Sequence, residues 1–222
     1  MLHYRLHRDP KSSHQQIVRL VRRLGRSPVL DVGAAQGFLG QLTQNDNLQI
    51  DAVEPNAYWA EQAQPWYRTV YASTIEDAHL PPNAYRVVVC ADVLEHTVNP
   101  QEVVQQLCRV STDDAYFIIS LPNVAHLAVR LMLLFGRFPP MERGILDRTH
   151  LHFYTRDTAE AMLAEAGLHV VYARPTGVPL DELWPNGEGT LLYNVLMRLQ
   201  HLALLLAPHV FGFQWVLVAR KR

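Results

Sequence analysis

Cysteine is scarce in this chain, with only Cys90 and Cys108 among 222 residues. They lack Cys-x-x-Cys spacing and sit in apolar stretches. That excludes a disulfide framework or a cysteine-ligated zinc site, and it points to buried thiols in a reducing cytosol. Long apolar runs are also missing: none approaches the roughly 18 residues that a membrane-spanning helix needs. The opening MLHYRLHRDPKSSH is too polar for a signal peptide. A cytoplasmic protein with no transmembrane segment is expected, membrane-surface contact staying open. An excess of one charge is absent too. The formal net charge is −1, so nothing draws the chain toward nucleic acid, and no such partner is expected. The basic run RLVRRLGR, residues 19–26, reads as the solvated face of a helix. No repeat or low-complexity tract is present.

What is there is material for a core. Hydrophobic residues make up 49% and charged residues 18%, the composition of a globular chain, and the length suits one domain over 1–222. DPKSSHQQIVRLVRRLG predicts a cap helix over about 11–25. Ser12 or Ser13 would accept its free amides, with Ile17, Val18, Leu20, Val21 and Leu24 as the apolar stripe and Gly25 as the stop. PVLDVG, IDAVEPN, TVYAST, AYRVVVCAD, AYFIISLPN and HVVYARP predict six strands, and FQWVLVARK a seventh. Between them lie helical segments, including PQEVVQQLCRVS with proline in its first turn. Strands alternating with helices imply a mostly parallel sheet covered on both faces.

VLDVGAAQGFLG places Gly33 and Gly37 between the first strand and its helix. A dinucleotide would want G-x-G-x-x-G at the strand end, with its pyrophosphate on the helix N-terminus. Here Asp31 precedes the first glycine by two residues and the pattern is Gly33-x-Ala35-x-Gly37. A carboxylate under that turn repels a pyrophosphate and tolerates a cationic or zwitterionic ligand. Glu54, at the end of the second strand, is placed to accept from two ribose hydroxyls. It fits a nicotinamide dinucleotide equally well, so the spacing of Asp31 is what discriminates.

On these residues the chain resembles the class I S-adenosylmethionine-dependent methyltransferases, in motif order from about Val29 to Leu121. The resemblance implies a Rossmann-like α/β fold. Its sheet has seven mostly parallel strands with helices on both faces, an antiparallel last strand, and a lid insertion after the fifth strand. It further implies S-adenosylmethionine as cofactor, with Asp31, Gly33, Ala35 and Gly37 at its methionine part, Glu54 at the ribose, Asp92 nearby, and Thr74, Ile75 and Glu76 framing the adenine. Ala35 replaces a usual glycine, which is tolerable if the backbone there need not adopt positive φ.

VVVCADVLEH begins as a buried strand and ends in Asp92, Glu95 and His96. In the fold implied above, that end lies beside the transferable methyl. DVLEHTVNP resembles the post-strand motif of ubiquinone-pathway O-methyltransferases, and Asp92-x-x-Glu95-His96 resembles the E-x-x-E-H of ribose-terminal small-RNA methyltransferases. In those families the group binds a divalent metal. A metal would lower the pKa of an acceptor alcohol, and oxygen ligands plus imidazole suit Mg²⁺ or Mn²⁺. LDRTHLHFYTRD supplies His150 and His152, which share one face if that segment is extended. The metal set is then Asp92, Glu95, His96, His150 and His152. Two other readings stand beside it: His96 as a metal-free general base, and Glu95 with His96 as loop-tying residues, Asp92, Glu95 and His96 being the catalytic candidates throughout.

Residues 124–152 form the predicted lid insertion. SLPNVAHLAVRLMLLFGRF and ERGILDRTHLHFYT resemble bacterial methyltransferases associated with glycosyltransferases, which implies a sugar, glycan or lipid-linked acceptor and polysaccharide biosynthesis. Asn123, His126, Arg143 and Arg148 are the candidates to meet it. Leu192, Val195, Leu196, Leu199, Leu202, Ala203 and Leu206 make an apolar stripe, read either as core and dimer packing or as a surface for a lipid-linked or aromatic acceptor. The expected activity is O-methylation of such a small-molecule hydroxyl by a monomer or homodimer. Quinone or phenol O-methylation, amino-sugar N-methylation, a catalytically silent cofactor-binding module and a nicotinamide oxidoreductase are the rivals.

Overall fold

A computed structural model describes residues 9–222. Residues 1–8, part of the polar opening segment, lie outside the described residues. Helix α1 (Ser13–Leu24) starts on the Ser12 side chain, which accepts from the amide of Gln15, and stops at Gly25 with φ 57°. Ile17, Val18 and Val21 form its buried face, as their spacing requires. The chain continues through β1 (Val29–Val32), α2 (Phe38–Thr43), β2 (Ile50–Val53), α3 (Ala57–Ala63), β3 (Thr69–Tyr71), β4 (Tyr85–Ala91), α4 (Pro100–Val110) and β5 (Ser111–Pro122). Then come α5 (Leu127–Leu134), α6 (Arg156–Glu165), β6 (Leu168–Pro175), α7 (Leu180–Leu183), α8 (Leu191–Leu206), α9 (Pro208–Phe211) and β7 (Gln214–Lys221).

The seven strands form one sheet in the order β3-β2-β1-β4-β5-β7-β6. The pairings from β3 to β5 are parallel, and β7 runs antiparallel to both β5 and β6. Parallel alignment brings the C-terminal ends of β1, β2, β4 and β5 to one edge. The strand order reverses between β1 and β4, and such a switch point opens a crevice at that edge. The sheet is buried on both faces. Val88 and Cys90 pack with Val103 and Leu107 of α4 and Leu163 of α6, while Val87 and Val89 pack with Ile17, Val18 and Val21 of α1. The alternation along β4 follows from the period of two in a strand.

Two expectations change. The fifth strand begins at Ser111 and not at Ala115, because Ser111 pairs with Tyr85 across a register shift. The apolar stripe of α8 does not face the core. Among its residues only Leu204 is buried. The helix docks through that leucine and through polar anchors: the Gln200 side chain exchanges hydrogen bonds with the backbone of Val178 at 3.1 and 3.2 Å, and Lys11 Nζ donates to the His201 carbonyl at 3.2 Å. Leu199 and Leu202 are half exposed and Leu206 is three-quarters exposed.

Candidate active site

The crevice is floored by the turn that follows β1. Gly33 has φ 74° and its amide donates to the Val53 carbonyl at 2.8 Å. A Cβ at this position would lie 2.4 Å from Val93 Cγ2. Both the backbone and the space therefore demand glycine, and the segment after β4 rests directly on the turn. Ala35 also has positive φ, 47°, so the condition under which alanine replaces glycine there without strain is not met. Glu54 holds the backbone there. One Glu54 oxygen accepts from the Ala35 amide at 2.8 Å and the other from the Asn56 amide at 2.9 Å. Burial raises the Glu54 pKa, opposed by those two amides.

Asp31 is buried beneath the turn, and the Tyr67 hydroxyl donates to its Oδ2 at 2.6 Å. The Gly40 amide in turn donates to the Tyr67 oxygen at 3.2 Å. Burial pushes the Asp31 carboxyl up to about 7, against the Tyr67 hydrogen bond and with help from the Glu54 charge. Asp31 is therefore not a fixed negative charge: near neutral pH it is poised between its two forms. Tyr67 carried no signal in the sequence, because its link to Asp31 is tertiary.

Of the adenine candidates, Ile75 is buried in the core and its carbonyl accepts from Gln106 of α4 at 2.5 Å. Thr74 Oγ1 donates to Asp77 at 3.0 Å, and Glu76 is exposed.

The segment after β4 turns sharply. Asp92 has φ 55°, and its Oδ1 accepts from Ser120 Oγ at 2.8 Å and Gln214 Nε2 at 3.0 Å. Leu94–His96 then form a single 3₁₀ turn. Leu94 plugs the core, Glu95 is 1% exposed, and His96 faces solvent. The amides of Leu151 and His152 both donate to the Glu95 carbonyl, at 2.8 and 3.2 Å. That clamp brings the His150 ring edge-on to His96, 4.7 Å between centroids. One ligand atom each from Glu95, His96 and His150 falls within a 4.8 Å group. Neither Glu95 oxygen finds a hydrogen-bond partner. Burial and the nearby Asp92 charge hold the Glu95 carboxyl well above the usual carboxylate range. The His150 pKa is lowered by burial. His96 Nδ1 meets Thr149 Oγ1 at 3.1 Å.

Asp92 and His152 stand outside this group, which corrects the five-residue metal set. Asp92 is tied to β5 and β7. The 147–152 segment is a turn, closed by the His150 amide donating to Asp147 at 3.0 Å, so its histidines do not share a face. His152 Nε2 lies 3.4 Å from the Val98 carbonyl and its ring stacks on Tyr154. Two acceptor candidates are also committed elsewhere. Asn123 is buried, donating to the carbonyls of His209 and Gly212 at 3.2 and 2.7 Å. His126 caps α5, its Nδ1 accepting from the Ala128 amide at 3.3 Å. Arg148 pairs with Glu142, and Arg143 is exposed.

The site therefore combines a glycine turn over a titratable carboxyl, a carboxylate at the end of β2, and a carboxylate with two imidazoles just past β4. Proteins with this architecture are known. A structure of a SAM-dependent methyltransferase from Archaeoglobus fulgidus superposes with TM-score 0.63 at 19% identity, covering 94% of each chain. Magnesium protoporphyrin IX methyltransferase from Synechocystis PCC 6803, solved with SAH, gives 0.64 at 14% identity, covering 95% of this chain and 82% of that one. The 1,6-didemethyltoxoflavin-N1-methyltransferase of Burkholderia thailandensis, solved with 1,6-didemethyltoxoflavin and S-adenosylhomocysteine, gives 0.63 at 16% identity, covering 95% and 79%. No curated protein matches in sequence. The family model described as a methyltransferase domain matches residues 4–173. With that match and the seven-stranded sheet, the chain belongs to the class I S-adenosylmethionine-dependent methyltransferases.

Proposed function

We propose that this methyltransferase transfers its methyl group to a hydroxyl of a small glycosylated acceptor, a sugar or a lipid-linked glycan. S-adenosylmethionine would lie over the turn of Gly33 to Gly37, its methionine part toward Asp31 and its ribose at Glu54. Relatives solved with S-adenosylhomocysteine support the cofactor, and the small acceptor in one of them supports a small-molecule substrate. For a glycan, the support is the resemblance of residues 120–155 to glycosyltransferase-associated enzymes.

The observation that carries the hydroxyl reading is the group of Glu95, His96 and His150 beside the glycine turn, with Val93 in contact with the turn just before it. An alcohol holds its proton far above neutral pH and needs somewhere to send it. In the transfer, the acceptor oxygen forms a bond to the methyl carbon while the carbon–sulfur bond breaks. The proton goes to the exposed His96 imidazole, and the cofactor leaves as a neutral sulfide. Thr149 orients the imidazole, and in-line placement of oxygen and sulfonium supplies most of the acceleration.

The orphaned Glu95 carboxylate favours a second reading. A buried carboxylate without partners is costly unless a cation or a proton joins it. Glu95, His96 and His150 fit a divalent cation, and two imidazoles with one carboxylate suit Mn²⁺ better than Mg²⁺. Such an ion, when bound, supplies a lowered pKa for an acceptor hydroxyl. The test is mass spectrometry of candidate glycans, quinones and amino sugars incubated with methyl-labelled S-adenosylmethionine, with and without a chelator. Label on a glycan hydroxyl supports the proposal. Label confined to nitrogen or to a phenol refutes it, and no label on any acceptor returns the chain to a cofactor-binding module.

A further inference from the structure

The apolar face of α8 is exposed, which leaves the surface reading of its stripe and not the core one, and it is not alone. Leu192, Val195, Leu199, Leu202, Leu205 and Leu206 are between 42% and 75% exposed along one side of the helix. On α5 and the turn behind it, Leu131, Leu134, Phe135 and Phe138 are between 43% and 76% exposed. A shallow cavity of about 500 Å³ opens there, lined by Leu131, Met132, Phe135 and Arg137. Apolar surface on this scale does not persist in water without a purpose.

Both segments belong to the same edge of the sheet. The first follows the C-terminal end of β5, and the second joins the C-terminal end of β6 to the start of β7. Asp31, Glu54 and Asp92 lie at or just past the ends of β1, β2 and β4 on that edge. The Asn123 amide ties the two segments together through the carbonyls of His209 and Gly212.

Charge says what covers them. No Asp or Glu occurs in residues 115–141 or 189–213, although the chain carries 21 acidic residues. Within the two segments themselves the charged residues are Arg130, Arg137 and Arg198, all cationic; the carboxylates near α8, Asp9 beside His201 and Asp181 and Glu188 near Tyr193, come from outside the segment. A second copy of the chain fits poorly. A two-fold interface sets a patch against itself, so the arginines of the two segments would meet one another while neither segment supplies a carboxylate of its own. The α8 face is also almost all leucine, which is under-represented among the residues that hold protein interfaces together. An anionic bilayer supplies what is missing: apolar depth for the leucines and negative headgroups for the arginines. Among the described residues no helix is long and apolar enough to cross the membrane, so the helices would lie in its surface.

We propose that the exposed faces of α5 and α8 dock this protein onto an anionic lipid bilayer, with the catalytic edge of the sheet toward the surface. This stands independently of which acceptor is methylated.

The test is flotation of the full chain with phosphatidylcholine vesicles, with or without about one-third phosphatidylglycerol. Three proteins are compared: wild type, the double variant Leu199→Glu with Leu205→Glu, and Val171→Glu, which alters an exposed apolar residue on β6 away from the patch. The expected result is flotation with the anionic vesicles, reduced at least tenfold by the α8 pair and unchanged by Val171→Glu. Raising salt from about 0.05 to 0.5 M should weaken it. Because the altered leucines are solvent-facing, thermal unfolding should show folded variants. If the pair does not fold, Arg137→Glu with Arg198→Glu carries the same prediction. Failure to float with either vesicle overturns the proposal, as does equal flotation of wild type and variants. So does a dimer in sedimentation velocity that the α8 pair dissociates, because the patch would then be covered by a second copy.

Discussion

Tyr67 and Asp31 form a buried pair beneath the glycine turn, hydroxyl to carboxyl at 2.6 Å. The tyrosine keeps the acid from rising further, yet burial still takes it to about 7. In the proposed site, the charge that Asp31 would offer to S-adenosylmethionine is therefore set by pH near neutrality.

With Asp31 at the methionine part of the cofactor, as proposed, cofactor binding would be proton-linked. A cationic ligand selects the ionised form of Asp31, so affinity should rise with pH up to about 7 and level off above it. Below that point the slope is roughly tenfold per pH unit, and protons are released on binding. Calorimetry in buffers of different ionisation enthalpy reads both effects. Asp31→Asn should weaken binding and flatten the profile, and a steep profile surviving in that variant would remove Asp31 from the linkage. The stability of the ligand-free protein moves the other way. The folded pKa of Asp31 lies above its unfolded value near 4, so this group's contribution is fully present below about pH 4 and is lost as pH rises through 7. The loss is on the order of 4 kcal/mol. Asp31→Asn should accordingly raise the Tm at pH 8 more than at pH 5.

Gly33→Ala should destabilise the fold by about 2 kcal/mol or more, because φ is 74° and the new Cβ would meet Val93 Cγ2 at 2.4 Å. Val93→Ala removes that methyl but not the backbone strain. The double variant should therefore recover part of the loss. Chemical denaturation of the four proteins in the cycle measures the coupling, and strict additivity would show that the two segments do not touch.

At Ala35 the prediction reverses. With φ 47°, Ala35→Gly relieves left-handed strain while adding unfolded-state entropy, so stability should stay level or rise by up to about 1 kcal/mol. Ala35→Val should lose more than that. Glu54→Ala removes both carboxylate contacts that hold the loop, to Ala35 and Asn56. It should weaken cofactor binding more in wild type than in the Ala35→Gly background.

Local pattern made the sheet legible. The apolar runs of β1, β2 and β4 and the stop at Gly25 follow from burial and backbone preference alone, and the glycine turn with Asp31 and Glu54 could be located by spacing. What spacing does not encode is which distant group a side chain meets. Tyr67 reaches Asp31 across 36 positions, and Gln214 reaches Asp92 across 122. His150 and His152 look equivalent in an extended segment; only the Asp147 turn separates them. The leucines of α8 show the opposite failure. An apolar stripe signals burial against something, and sequence does not say whether that something lies within the chain.

The separation of the two histidines gives the most direct test of the site past β4. His150 lies against His96 and within reach of Glu95, whereas His152 stacks on Tyr154 outside the group. His150→Ala should lower turnover at least tenfold with cofactor affinity retained, and His152→Ala should cost far less. Equal losses would mean that the turn, not the imidazole, matters. His96→Ala should reduce turnover by roughly 10²–10⁴-fold, the range of a lost general base. Glu95 separates the base and metal readings. Its folded pKa is raised, so its contribution to stability is present below about pH 4 and lost as pH rises toward the folded pKa. Glu95→Gln should therefore stabilise the ligand-free protein at pH 8. If a cation occupies the group, Mn²⁺ raises the Tm of wild type and not of Glu95→Gln, and a chelator abolishes turnover. If His96 acts alone, Mn²⁺ leaves both melting curves in place and activity survives chelation.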